Sequence, residues 1–408
     1  MHRWKPTDST GFLELLTPKG KVVEVGVADI EKIEKEFNGD YQGILGKYDK
    51  VLLSQQVEGY GMRNRIQHFY DNFDKEKIFI INDGFVCEKY LSQIYPNIPR
   101  ENIFINPILS IWCAWNMILS DKGREKIAVN DMRTTNKIND GFRNIHKNNI
   151  DNLLNILNKF DRDYKFIVLN NNYKPGRAQF VDRMSESFIK ENWVSANFFK
   201  EKPWNLHKWE NFYPPVTNPT EKKEYRYLRE DDYTKYENDQ SGWNSCYEIL
   251  WREHLNKAYI QPYWESTAWT DALTDGHYMI SEKTLIPIIM GHITIPLAPF
   301  HVDYLEKLGY KFIKKIGNIS INETISQDEF EFIGRGEYAG DRDFHEPIVE
   351  MCNKIFDKIL KINDECSLED IKKTYVENYD IIQHNKNLLK KHVTDNSVLK
   401  NLKTWIEK

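Results

Sequence analysis

Short runs rich in β-branched residues alternate with segments of helical periodicity along the first part of this chain, and that alternation constrains its fold most. "KVVEVGV" (Lys21–Val27), "KVLLSQQ" (Lys50–Gln56) and "KIFIINDG" (Lys77–Gly84) read as strands, the last ending in a turn. Between them, "RNRIQHFYDNF" places Ile66, Phe69, Tyr70 and Phe73 at the i, i+3, i+4, i+7 spacing of a helix face. Strands that alternate with helices build βαβ units around a mainly parallel sheet, so the expected fold class is α/β.

At 408 residues the chain is long enough for more than one core. A polar stretch, "TTNKINDGFRNIHKNNIDN", precedes a second strong strand, "YKFIVLNNN" (Tyr164–Asn172), which places a domain change near 135–160. The expected organisation is a Rossmann-like domain over 1–150, a second over 151–345, and C-terminal helices over 346–408. A Pro-, Trp- and charge-rich stretch at 200–240 reads as an insertion in the second domain. "KAYIQPYWES" (Lys257–Ser266) is a further strand. Near the end, "HEPIVEMCNKIFDKILKI" is amphipathic, and Ser367 with Asp370 forms a capping-box pattern.

Hydrophobic and aromatic contents of 40% and 13% fit a folded protein rather than a disordered one. The net charge of -5 supplies no global attraction to nucleic acid or anionic membrane, although a local basic patch would suffice for either. The five cysteines (Cys87, Cys113, Cys246, Cys352 and Cys366) lack CxxC spacing, as in a reduced cytosolic protein without a structural zinc. "MHRWKPTDSTGFLELL" has no signal-peptide core, and no apolar run reaches membrane-spanning length. A cytoplasmic location is expected. Frequent Lys, Asn and Ile point weakly to an AT-rich, viral coding genome, in which case the location is the host cytoplasm.

Three pieces of the second half carry candidate chemistry. "VLNNNYKPGRAQFVDRM" follows a strand with Lys174, Arg177 and Arg183, and cations beyond the carboxyl end of a strand suit an anionic ligand. Ordinary solvated cations account for the same turn equally well. "YIQPYWEST" presents Glu265 at a strand end as a candidate catalytic residue. In "MISEKTLIPIIMGHITIP", Ser281 caps a helix whose first turn holds Glu282 and Lys283, where free N–H groups and the positive dipole end collect anions. Taken alone, Glu282 is better explained as an acid favoured by that dipole.

In this order the three pieces resemble the C-terminal domain of GT-B glycosyltransferases of the fucosyltransferase-like kind. The likeness is to bacterial and viral members with an S-E-K-T-x-x-P-I block, a Gly, a strand and a "YL-x-x-LGY/F-K-F" segment. Here these are Ser281, Glu282, Lys283, Thr284, Pro287, Ile288, Gly291 and "DYLEKLGYKF" (Asp303–Phe312). The "LNNNYKPGR" turn is similar to that family's Arg-bearing segment, and "YWEST" to its Glu-bearing strand end. The likeness spans about residues 160–315. It implies two Rossmann-like domains facing across a cleft and a UDP- or GDP-linked sugar donor, with no metal required. Glu282 would then bond the ribose or the donor sugar. Lys283 and Arg177 would neutralise the diphosphate, on which charge builds as the glycosidic bond breaks.

The first 150 residues match no motif of that family, so the acceptor is open between a glycan and a hydroxymethylated pyrimidine in phage DNA. The DNA reading draws on "MRNR" (Met62–Arg65) and the C-terminal lysines. An acceptor base should come from the opposite wall, with Glu58 and Asp83 as candidates near strand ends. His68 is expected to pack. "DRD" occurs at Asp161–Asp163 and Asp341–Asp343, where a metal-binding role is weighed against solvated turns. Trp204, Trp209 and Trp243 could stack sugars or bases, or simply pack under the insertion. The competing class is a non-catalytic nucleic-acid- or glycan-binding accessory protein, supported by "HNKNLLKKHVTDNSVLKNLKTWIEK".

Overall fold

The computed structural model describes residues 21–54, 67–82, 95, 97–119, 161–170, 180, 181, 183–196, 255, 257–265, 280–297, 301–321, 346–395 and 397–408. The chain is mixed α/β with parallel sheets, as expected. Strands β1 (Val22–Val25), β2 (Lys50–Ser54), β3 (Ile78–Asn82) and β4 (Ile103–Ile105) form a four-stranded sheet in sequence order. All its pairings are parallel, with Val25 opposite Leu53 and Leu53 opposite Ile80. Helices α1 (Val27–Phe37), α2 (Tyr41–Leu45) and α3 (Gln67–Asn72) accompany these strands, and α4 (Pro107–Leu119) follows the last. Helix α1 opens where the Asp29 carboxylate accepts from Gly26 N–H at 3.1 Å, and it closes on Asn38 in the left-handed region (φ 53°).

The second sheet has the order β6-β5-β7-β8, again all parallel. Its strands are β5 (Tyr164–Asn170), β6 (Trp193–Ala196), β7 (Ala258–Tyr263) and β8 (Ile293–Pro296). The chain steps from β5 to one side for β6 and then crosses to the other side for β7. The β5–β7 junction is therefore a topological switch point, where open α/β sheets take ligands at the carboxyl ends of their strands. Every residue of β7 is buried, as befits a parallel strand covered on both faces. Helices α5 (Glu186–Glu191), α6 (Glu282–Ile289) and α7 (His301–Lys307) belong to this half, with a short hairpin of β9 (Lys315–Ile316) and β10 (Ile319–Ser320).

Four helices complete the chain: α8 (Glu346–Glu365), α9 (Leu368–Glu377), α10 (Tyr379–Thr394) and α11 (Ser397–Glu407). The expected capping box at Ser367 and Asp370 is present at the start of α9. Helix α10 packs into the second core through Ile382, Leu389 and Val393. Its Asn385 brackets the backbone of Lys311, accepting from the N–H at 2.8 Å and donating to the carbonyl at 2.7 Å. Gly291, at φ 63°, closes the turn before β8 where a Cβ would sit 3.2 Å from the Lys386 side chain, so only glycine fits without displacing that lysine.

The two faces of the first sheet are covered from different parts of the chain. Val23, Val25, Val51, Leu53, Ile78 and Ile80 pack with residues of α1, α2 and α3. Leu52 and Ile81 point the other way, with Val22, Phe79 and Phe104 beside them, onto Leu109 of α4 and Val398, Leu402 and Ile406 of α11. Right-handed crossovers between parallel strands laid down in sequence order put their helices on one face. The opposite face then needs cover from elsewhere, and α11 supplies it. Lys50 Nζ donates to the Ile406 carbonyl at 2.7 Å, and Trp405 Nε1 to the Glu101 carbonyl at 2.7 Å.

Among the described residues, no helix is long and apolar enough to cross a membrane.

Candidate functional site

At the carboxyl end of β7 the chain continues through Trp264 and Glu265, both buried. Glu265 is 1% exposed, and its carboxylate accepts three hydrogen bonds: from Ser281 N–H at 3.1 Å, from the Ser281 hydroxyl and from the Thr284 hydroxyl. Ser281 is extended (φ −111°, ψ −176°), and its Oγ also accepts from Lys283 N–H at 3.2 Å. A strand end and a helix start are thus tied together by one internal carboxylate.

Burial by itself would raise the Glu265 carboxyl; attraction to His301 and Lys283, with the hydroxyl bonds from Ser281 and Thr284, holds it below its ordinary value instead. His301, the first residue of α7, is fully buried, and its Nδ1 lies 3.3 Å from the Tyr263 hydroxyl. Burial pushes the Tyr263 phenol well up, against a hydrogen bond with Thr284. Ser281, Thr284, Tyr263 and His301 therefore form one polar network around Glu265.

Lys283 stands in the first turn of α6, with its ammonium 2.6 Å from the Glu282 carboxylate. Their side chains are 30% and 15% exposed. A cation at a helix N-terminus opposes the macrodipole, and here two neighbouring carboxylates, Glu282 and Glu265, offset that penalty. The result is an ammonium ion-paired with Glu282 at the positive end of α6, near the carboxyl end of β7, where that dipole favours an anion.

A contact from the first half reaches the same place. The Ser110 hydroxyl of α4 accepts from Ile280 N–H at 2.8 Å and donates to the Ile280 carbonyl at 2.9 Å, one residue before the cap of α6. Ser110 is 1% exposed. Because α4 starts just after β4, this contact brings the carboxyl end of a first-sheet strand toward the start of α6.

Of the residues expected at the site, the structure brings together Glu265, Ser281, Glu282 and Lys283. Glu265, expected as a reacting group, faces inward and acts as the anchor of the α6 cap. Arg183 is engaged elsewhere: its guanidinium bonds Asp357 and, at 3.3 Å, Asn353 of α8, and lies 5.6 Å from the Phe356 ring centre. Glu58, Asp83, Lys174 and Arg177 lie outside the described residues, as do Trp204, Trp209, Trp243, the "MRNR" stretch, the second "DRD" and the 200–240 insertion.

His68 packs on one side only, its ring 5.7 Å from that of the buried Tyr41. Its side chain is 58% exposed and meets Glu34 at 3.3 Å, because Phe69, Tyr70 and Phe73 fill the buried face of that helix. In the first "DRD" the two acids point outward to separate lysines, Asp161 to Lys372 at 2.6 Å and Asp163 to Lys257 at 3.9 Å. The residue between them turns in: Arg162 donates to the carbonyls of Ala258, Met290 and Gly291 and to the Tyr375 hydroxyl. Among the described residues no cluster of three His, Cys, Asp or Glu is arranged to hold a metal ion.

Sequence reasoning did not single out Tyr263, His301 or Ser110. Thr284 was visible as part of the S-E-K-T block, but nothing in its spacing points to Glu265. Comparison with models of known protein families, with characterised proteins and with solved structures gives no significant match.

Proposed function

We propose that the chain is a nucleotide-sugar-dependent glycosyltransferase that moves a sugar from a UDP- or GDP-linked donor to a hydroxyl acceptor. The observation that carries this reading is Lys283 in the first turn of α6, held at the carboxyl end of β7 beside the switch point by the buried Glu265 clamp. Cleaving a sugar–diphosphate bond builds negative charge on the departing nucleotide. A preorganised ammonium and the positive end of the α6 dipole lower that barrier, because they need no reorganisation as the charge appears. In this scheme Lys283 faces the diphosphate, Lys174 and Arg177, which follow β5 in sequence, add charge to it, and Glu282 bonds a sugar hydroxyl. No metal cofactor is assigned.

The reading extends to a GT-B arrangement, in which the first sheet bears the acceptor and the second the donor. Two separate parallel sheets, α4 running from one toward the other and α11 returning to the first support it. Glu58 or Asp83 then takes the acceptor proton. The acceptor is a glycan or a hydroxymethylated pyrimidine in phage DNA.

Exposed Lys391, Lys400, Lys403 and Lys408 on α10, α11 and the final residue favour contact with a polyanion. They also keep a second reading in play, a non-catalytic nucleic-acid- or glycan-binding accessory protein. One experiment separates the two. The protein is incubated with UDP- and GDP-sugars and free nucleotide is measured, first alone and then with hydroxymethylcytosine DNA or an oligosaccharide. Slow release that one acceptor accelerates, with a matching mass gain on that acceptor, is the expected result. Release from no donor would sink the transferase reading.

A further inference from the structure

We infer that Ser110 is a positioning residue through which the first half of the chain sets the geometry of the first turn of α6, and with it the hold on a nucleoside diphosphate. The ligand part of this inference rests on the glycosyltransferase reading; the positioning part does not. A single hydroxyl satisfies both backbone groups of Ile280, at 2.8 and 2.9 Å, across 170 residues of sequence. Ile280 is itself 1% exposed, so neither group has water as a substitute. The next residue, Ser281, spends its N–H and hydroxyl on Glu265 while its Oγ accepts from Lys283. Ser110 thus fixes the Ile280 backbone, and the residue joined to it, Ser281, ties the same stretch of chain to Glu265 and to the Lys283 backbone N–H, so α4 is linked to the first turn of α6 through two serines and one peptide unit.

Helix α4 is suited to carry such a signal because it belongs to both halves. Leu109 sits in the cluster shared by the first sheet and α11, whereas Ile111, Ala114 and Trp115 sit in the core of the second sheet. A shift of the first sheet moves Ser110, and Ser110 moves the α6 cap. An acceptor bound on the first half would thereby change the grip on the donor, and by linkage the donor would change the grip on the acceptor equally.

The test compares Ser110→Ala with Phe73→Ala, a core truncation in the cluster on the opposite face of the first sheet, which holds no residue of α4. Amide hydrogen exchange is followed on the full chain, and binding of UDP and GDP is measured by titration calorimetry. In Ser110→Ala the Ile280 amide must exchange faster for trivial reasons. The positioning role predicts that the Lys283 and Thr284 amides also accelerate, by about tenfold, and that the nucleoside diphosphate binds about tenfold more weakly. Phe73→Ala lowers the melting temperature without either change. Acceleration confined to Ile280 overturns the inference. If the parent protein binds neither nucleotide, the ligand part falls with the functional reading, while the exchange at Lys283 and Thr284 still decides whether Ser110 positions α6.

Discussion

Replacing Glu265 with Gln tests the clamp at the heart of the candidate site. The carboxylate takes the Ser281 N–H and the Thr284 hydroxyl on Oε1 and the Ser281 hydroxyl on Oε2. A glutamine oxygen can keep the first two. Its NH2 group then faces Ser281 Oγ, which already accepts from Lys283 N–H, so the serine hydroxyl proton loses its acceptor. The attraction to His301 and Lys283 is lost as well. Hydrogen bonds to charged groups contribute roughly 1.5–3 kcal/mol each, so a loss of about 2–4 kcal/mol is expected at pH 7. Chemical denaturation measures it directly. The pH dependence adds a sign. A folded-state carboxyl held below its ordinary value of 4.5 stabilises the protein above that pH, and the contribution disappears as the pH falls through the lower folded value. The difference between parent and Glu265→Gln should therefore be constant near neutrality and shrink below about pH 4.5. Equal stability at pH 7, with superimposable acid limbs, would refute the clamp.

The remaining expectations concern the cation, the buried lysine and the last helix. Lys283→Ala should leave the circular dichroism spectrum intact and reduce nucleotide release from the preferred donor about ten- to hundredfold, as loss of a charge-assisted phosphate contact would; unchanged release would remove Lys283 from the site. Lys386 is 2% exposed, and burial followed by the nearby Arg162 charge pushes its amine down to about 8. Its charged form is penalised more in the folded protein, so stability should rise by roughly 3 kcal/mol between about pH 8 and 10.5, and Lys386→Met should flatten that rise in urea titrations. In α11, Leu402→Ala removes a fully buried side chain and should cost about 2–5 kcal/mol by denaturation. A chain stopped after Asp395 should bind a hydrophobic dye strongly, and silence in that assay would argue against α11 as the cover of the first sheet.

Periodicity was enough to find the framework. "KVLLSQQ", "KIFIINDG", "YKFIVLNNN" and "KAYIQPYWES" each contain a strand of the structure, because a parallel strand buried on both faces must be apolar and β-branched nearly throughout. Local hydrogen-bonding chemistry was equally legible: Ser281 caps α6 and Ser367 with Asp370 closes the box of α9. The long-range polar contacts were not visible. Ser110 meets Ile280 across 170 residues and Glu265 meets Thr284 across 19, and serine, threonine and histidine carry no periodic signature of burial. Arg162 was obscured in a different way. A "DRD" triplet reads as a polar turn, yet one long guanidinium satisfying three carbonyls and a phenol goes inward while its acidic neighbours stay in water.

The origin of the cover on the first sheet has a consequence for the protein as it is made. Lys50 and the Ile406 carbonyl are 356 residues apart in sequence. On the ribosome the first four strands emerge long before α11 exists. At roughly 5–20 residues per second, the interval between β4 and α11 is about 15–60 s. Throughout it, the face formed by Leu52, Phe79, Ile81 and Phe104 lacks its final partner. A nascent chain in that condition is a natural client for a chaperone that shields exposed apolar strands. It is also a poor candidate for rapid, independent folding of its first hundred residues.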